Sequence, residues 1–318
     1  MILPQLKGAK GMITTVCMNP SFDKTAFVDG LTLGRVNRLE GVRVDVGGKG
    51  VNVAVVLSRL GVRCGCVGCL GERGEADFVE RIARENVAFD YLRLPGEVRT
   101  NLKLVDRKTK AITEFNEQGL QMDEEQFRAF GDLLCQKAAG SEYVVFSGRL
   151  PAGCADTAYQ RLLQALPRHK CVLDASGDAL LHGIKERPFL IKPNLHEIEG
   201  IMKKELRTLR AIRDAALFLI GYGAQHVVVS MGRYGAVLVS GGQTLFAPAL
   251  PVEASSTVGA GDAMLGGILM GLSRGESLAD SFRYGVAAGA ASVMTDGTQL
   301  VRKDDFDALL PKVTVRNV

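Results

Sequence analysis

Two glycine-rich turns each set one charged side chain at the start of an apolar helical run. In STVGAGDAMLGG, Ser256 to Gly267, the acid is Asp262, and Gly259, Ala260 and Gly261 lead up to it. In VGGKGVN, Val46 to Asn52, the charge is Lys49, with Gly48 before it and Asn52 shortly after. A helix start carries unpaired N–H groups and a partial positive charge, so it draws anions. Two such turns suit a reaction with phosphate on each side. The amides from Gly259 to Gly261 can hold charge that develops on a transferring phosphoryl group. Asp262 can accept the proton of an attacking hydroxyl, and the helix dipole is expected to make it a weaker base. Phosphoryl transfer tolerates this, because its loose transition state lets the hydroxyl lose its proton late. Taken alone, the same aspartate is a dipole partner worth a few tenths to about 1 kcal/mol, and either turn alone is weak evidence.

Other glycine-turn chemistries do not fit. GKGVNV has Val53, and GAGDAM has Met264, where a dinucleotide loop needs its third glycine. Gly50 follows Lys49, so the P-loop pattern fails as well. These failures argue against a nicotinamide dehydrogenase.

The elements that position the turns follow from the hydrophobic pattern. Short apolar runs at MITTVCMN, CGCVGCLG, EYVVFSG, KCVLDAS, PFLIKPN and HVVVSMG read as strands. Helical spacing follows the first turn, recurs in GEADFVERIARENV, and spans about 123–138, 155–166 and 207–221. This alternation predicts an α/β fold with a mainly parallel sheet covered on both faces. Two segments, KTAFVDGLTLGRVNRLEGVRVDV and YLRLPGEVRTNLKLVDRKTKAITEFNEQG, alternate polar and apolar residues instead. They are expected to form a small separate sheet that serves as a lid, a dimer surface or both, with a hairpin turning at Lys108–Lys110.

Of 318 residues, 47% are hydrophobic, enough for a large core, and 39 basic against 35 acidic residues leave a net charge of +4. The basic residues are scattered and Trp is absent, which argues against nucleic acid as a partner. Cys64, Cys66 and Cys69 lack the second ligand pair of a metal site and read as small residues of a buried strand in a reducing compartment. No apolar run reaches the roughly 18 residues of a membrane span, and MILPQLKGAKG lacks a signal-peptide core. The expected location is the cytoplasm, with residues 1–11 a short extension and Met12 a candidate start.

SSTVGAGDAMLGGILMGL and VGGKGVNVAVVLSRLG resemble the C-terminal and N-terminal motifs of the PfkB carbohydrate kinases, in the ribokinase-like group. MNPSFDKT, SGRLPAG and IKPNLHE fit between them in family order. The resemblance implies one kinase domain over 12–318, a ribokinase-like three-layer α/β/α sandwich with lid segments at about 23–46 and 91–118. It makes Asp262 the catalytic base and Gly259, Ala260 and Gly261 the anion hole. Asp23, Gly48, Lys49 and Asn52 are implied to hold the sugar. Asn194 and Glu197 organise Mg2+ and phosphate through water, and Ser230, Gly232 and Gly235 lie near ATP. YGVAAGAASV is expected to line the adenine pocket, although helix packing accounts for its small residues equally well. A monovalent cation requirement stays open.

Arg99, Asn101 and Lys103 alternate on one strand and so share a face. With Lys49 they are read as cations and polar groups for a phosphate already on the acceptor. Arg149 stands where the family usually has Ser; it adds a phosphate contact or points away. The phosphosugar branch of the family is implied, acting on a ketohexose monophosphate. D-fructose 1-phosphate is the first choice, with the tagatose 6-phosphate and fructose 6-phosphate chemistries as alternatives. A non-catalytic sugar-phosphate sensor is the rival of a different class, and the intact Asp262 argues against it. A homodimer through the lid sheet is expected.

Overall fold

Apolar side chains along each central strand alternate between two helical layers, because successive residues of a strand point to opposite faces. The computed structural model describes residues 12–167, 170–295, 297 and 299–318; the extension read over 1–11 lies outside the described residues. The strands are β1 (Ile13–Cys17), β2 (Ser21–Val28), β3 (Gly41–Gly47), β4 (Cys64–Arg73), β5 (Ala88–Glu97), β6 (Arg99–Asp106) and β7 (Ile112–Asn116). Then come β8 (Tyr143–Ser147), β9 (Lys170–Asp174), β10 (Leu190–Ile191), β11 (His226–Ser230), β12 (Ala236–Ser240), β13 (Gln243–Ala247) and β14 (Arg316–Asn317). The helices are α1 (Lys49–Arg59), α2 (Glu75–Arg84), α3 (Glu124–Ala138), α4 (Ala158–Gln164) and α5 (Gly177–Ile184). They continue with α6 (Leu195–Met202), α7 (Leu209–Tyr222), α8 (Ala260–Ser273), α9 (Leu278–Val293) and α10 (Lys303–Leu309).

The main sheet runs β14-β13-β12-β11-β10-β9-β8-β1-β4-β5. From β5 to β11 the pairs are parallel, and from β11 to β14 they are antiparallel. Val145, Val172 and Val228 face the layer of α1, α2, α8, α9 and α10. Their neighbours Phe146, Leu173 and Val229 face the layer of α3 to α7. The result is the three-layer α/β/α sandwich. β10 is only two residues long because Pro188 and Pro193 bracket it, and proline cannot donate to a ladder. The antiparallel strands β12 and β13 add to those that the apolar runs predict. No helix among the described residues is long and apolar enough to cross a membrane.

The second sheet, β3-β2-β6-β7, stands apart from the first. The β6–β7 hairpin turns through Lys108–Lys110, and Lys110 takes φ 62°. Asp106 ties two loops together: its carboxylate accepts N–H bonds from Gly30, Leu31, Lys108 and Thr109. These bonds hold its pKa below the ordinary carboxylate range, that from Leu31 foremost. One boundary shifts from the expected lid. Residues 91–97 belong to β5, the edge strand of the main sheet, paired with β4. An edge strand is solvated along one side, so its polar and apolar alternation matches that of a lid strand.

Candidate active site

A cavity of about 890 Å3 opens at the C-terminal ends of the parallel strands, where the lid, α8 and α9 enclose it. Such crevices are where open α/β sheets bind ligands. Both glycine turns border it. Gly48 takes φ 103°, and a Cβ there would sit 2.7 Å from Cys17 Sγ, so only glycine fits before α1. Gly259 takes the left-handed conformation, φ 78°, to start α8, and its added Cβ would meet Leu300. The amides of Gly261 and Asp262 therefore begin a buried helix at the cavity wall with no backbone acceptor among the hydrogen bonds described, while Ala260 N reaches back to Thr257 O over 3.4 Å.

Asp262 is 6% exposed, and Asn52 Nδ2 donates to its Oδ2 over 2.8 Å. Burial pushes its carboxyl up to about 6, and Asp174 adds to the rise; Lys49, Asn52 and Lys192 oppose it. The weaker base expected at a helix start is not found, because burial, the largest cause, raises the carboxyl. The carboxylate is a stronger base than one in solvent. Lys49 Nζ lies 3.2 Å from Asp174 Oδ1 and 3.8 Å from Glu197 Oε1. Asp174, first of several acids, raises the Lys49 pKa above its ordinary value and keeps the ammonium charged. Burial alone would push Asp174 up, but Lys192, 3.5 Å from its Oδ2, and Lys49 together hold it down. Two ammonium groups thus lie beside Asp262 without bonding to it.

On the lid side, Asp23 accepts from three neighbours. Ser21 Oγ donates to its Oδ1 over 2.9 Å, and Asn101 Nδ2 donates to the same oxygen over 3.0 Å. Lys103 Nζ donates to Oδ2 over 2.6 Å, with both side chains almost fully buried (4% and 5% exposed). Parallel pairing of β2 with β6 sets Asp23 opposite Asn101 and Thr25 opposite Lys103, which makes Lys103 the diagonal neighbour of Asp23. The shared face of Arg99, Asn101 and Lys103 is real, yet Lys103 is spent on Asp23 rather than free for a phosphate. Arg99 donates to the carbonyls of Asn19, Pro20 and Glu117. Burial and then the like charge of Arg149 depress its pKa, against Cys17 and Asp23. Arg149 is exposed on the cavity wall. The buried Oδ1 atoms of Asn19, Asn52 and Asn101 have no hydrogen-bond partner, and all three residues line the cavity. Buried orphaned acceptors of this kind mark a polar ligand's place.

Another end of the lining is more apolar. Val286, Gly289, Ala290 and Val293 from α9 face Leu250, Pro251 and Val252 across it. Ser230, Gly232 and Gly235 border this end, and Ser230 bridges to Asn194. Asn194 and Glu197 form a reciprocal capping box at the start of α6: Glu197 N donates to Asn194 Oδ1, and Asn194 N donates to Glu197 Oε2, each over 2.8 Å. Glu197 Oε1 is left facing Lys49. Among the described residues no group of His, Cys, Asp and Glu converges into a ready metal cage. An Mg2+ carried by nucleotide phosphates needs only one or two carboxylates; Glu197, whose side chain is 18% exposed at the cavity, is the carboxylate that fits, whereas Asp174 is fully buried and paired with Lys49 and Lys192.

Every residue given a catalytic, sugar or nucleotide role from the sequence borders this one cavity; of YGVAAGAASV, Val286, Gly289, Ala290 and Val293 do. Asp174, Lys192 and Asn19 join them there without a sequence signal strong enough to single them out. Their signals are faint: a charge or amide at the end of a buried strand or just past it, in CVLDAS, FLIKPN and VCMNPS.

Residues 17–304 match the pfkB family carbohydrate kinase pattern. The chain is 37% identical over 312 residues to a 1-phosphofructokinase of Rhodobacter capsulatus, covering 96% of this chain and 98% of that one. Phosphofructokinase-2 of Escherichia coli, solved with potassium, superposes with a TM-score of 0.89 at 29% identity, over 94% of this chain and 98% of its own. The same enzyme solved with substrates and products gives 0.88 at 29% identity, with the same coverage of each chain. A ribokinase of Thermotoga maritima gives 0.77 at 22% identity, over 94% and 99% of the two chains, which shows the ribokinase-like fold. The chain belongs to the pfkB family of carbohydrate kinases.

Proposed function

We propose that the chain transfers the γ-phosphoryl group of ATP to the C6 hydroxyl of D-fructose 1-phosphate, giving fructose 1,6-bisphosphate and ADP. The observation that carries this reading is Asp262. It is a buried carboxylate at a helix start, pushed up to about 6 and aimed by Asn52 from the other turn. The adenine lies between the α9 face and Leu250–Val252. The phosphates run from Ser230 and Gly232 toward the first amides of α8. Those amides, with Lys49 and Lys192, neutralise charge on the transferring group. Glu197 would hold an Mg2+ carried by the nucleotide through water, and that ion would supply further charge neutralisation. A monovalent cation belongs to the reading by likeness to the potassium-bound relative.

The acceptor lies under the lid. Asp23 and the orphaned Asn19 and Asn101 oxygens receive its hydroxyls, and Arg99 and Arg149 hold its phosphate. The C6 hydroxyl gives its proton to Asp262 as it bonds to the γ-phosphorus, and the bond to the ADP oxygen breaks. A covered site keeps water from taking the phosphoryl group instead. The lid also exposes Leu33 (87%), Val36 (93%) and Phe115 (57%). We read this exposed apolar surface of the lid as the interface of a homodimer.

ADP release measured with a panel of phosphorylated ketohexoses tests the acceptor. Fructose 1-phosphate should show the highest kcat/KM; preference for tagatose 6-phosphate or fructose 6-phosphate would reassign it.

A further inference from the structure

The pair formed by Asp23 and Lys103 divides labour in the acceptor pocket in a way the motif alone does not give. A carboxylate offers about four lone-pair sites. Ser21 and Asn101 occupy two on Oδ1, and Lys103 occupies one on Oδ2. The remaining site, with the orphaned Asn101 Oδ1, is what the pocket can present to hydroxyls. Lys103 is 3% exposed and its ammonium sits at 2.6 Å from Asp23. Moving it to a phosphate would strand a buried carboxylate without its counter-charge, which is strongly unfavourable. Arg99 and Arg149, by contrast, border the cavity with no carboxylate bonded to either among the hydrogen bonds described.

We propose that Lys103 is a positioning residue: it fixes Asp23 Oδ2 so that the carboxylate and Asn101 meet the acceptor's hydroxyls, and it takes no part in holding the acceptor's phosphate. This deepens the sugar-phosphate reading and rests on it. Lys103 acts only through Asp23, so its effect vanishes once Asp23 is neutral.

The test is steady-state kinetics on the wild type, Lys103→Met, Asp23→Asn and the double variant. They are run with ATP and whichever ketohexose phosphate the wild type phosphorylates. A wrong acceptor then sinks the earlier reading and leaves this test standing. Lys103→Met should raise KM for the sugar phosphate about tenfold or more, with KM for ATP within about twofold. Lys103→Arg, which keeps the cation, should recover part of the loss. The double variant should fall within about threefold of Asp23→Asn in kcat/KM. A further fall of about tenfold in the double variant would show an independent phosphate contact and overturn the proposal. A parallel rise in KM for ATP would show general loosening and overturn it too. Should Lys103→Met fail to fold, Asp23→Asn against the double variant still decides, because removing both partners leaves no lone buried charge.

Discussion

Asn52 and Asp262, 210 residues apart, are joined by a 2.8 Å hydrogen bond from Asn52 Nδ2 to Asp262 Oδ2. The first glycine turn thereby orients the base of the second. The bond also favours the ionised carboxylate, pulling its pKa down against burial. Asn52→Leu should lower kcat about 10–100-fold. It should also move the acid limb of the kcat/KM profile to higher pH. Profiles of both proteins at saturating ATP check this; an unmoved limb would leave Asn52 as a sugar contact alone.

Asp262→Asn should cut kcat by orders of magnitude while ATP still binds, as calorimetry would read. The same change should stabilise the fold at neutral pH. Burial, the largest cause, raises the folded carboxyl from 3.8 to about 6. Below the unfolded value the group is protonated in both states and costs nothing. As pH rises through the folded value, the fold must hold a buried ion, and stability is lost. A rise of about two units corresponds to roughly 3 kcal/mol. The variant, neutral throughout, should gain of the order of 2–3 kcal/mol over wild type at pH 7.5 and almost nothing near pH 4. Urea melts at both pH values measure it; an equal difference at both would contradict the linkage.

The central sheet was legible because its strands are buried on both faces and read as continuous Val and Leu runs, as in EYVVFS. β5 was not, because a solvated edge strand carries the same alternation as the lid. The site's glycines and Asp262 stood out by type, since GAG, a lone acid and an apolar helix in succession set free amides beside a base. Asp174 and Lys192 did not, since one charged residue at a strand's end is common; only the fold brings them together. YGVAAGAASV carried two meanings at once. A Cβ on Gly285 would clash with Ile268 of α8, so that glycine serves packing, while Val286 and Ala290 border the cavity. The role of Lys103 needed the register of β2 against β6, which no local pattern contains.

The lid's apolar exposure predicts its assembly. Leu33 and Val36 lie on the loop from β2 to β3, and Phe115 on β7. The double substitution Leu33→Asp, Val36→Asp should leave the sandwich core untouched and convert a dimer to a monomer. Sedimentation of both proteins across a concentration series reads the outcome. A wild type that sediments as a monomer throughout would remove the lid interface.

The α9 face predicts nucleotide selectivity by size. Ala290 is half-buried on the cavity wall, across from Leu250 and Pro251. Ala290→Phe adds a ring where adenine is read to lie, with the neighbouring Gly289 already close to Ala260 O and Met264. A ring that fills the slot removes the ligand's apolar contact and leaves the lid side unaltered. KM for ATP should rise about tenfold or more, with KM for the sugar phosphate changed less than about threefold. The opposite split, with the sugar constant rising and the ATP constant steady, would place the nucleotide at the other end of the cavity and reverse the roles of its two halves.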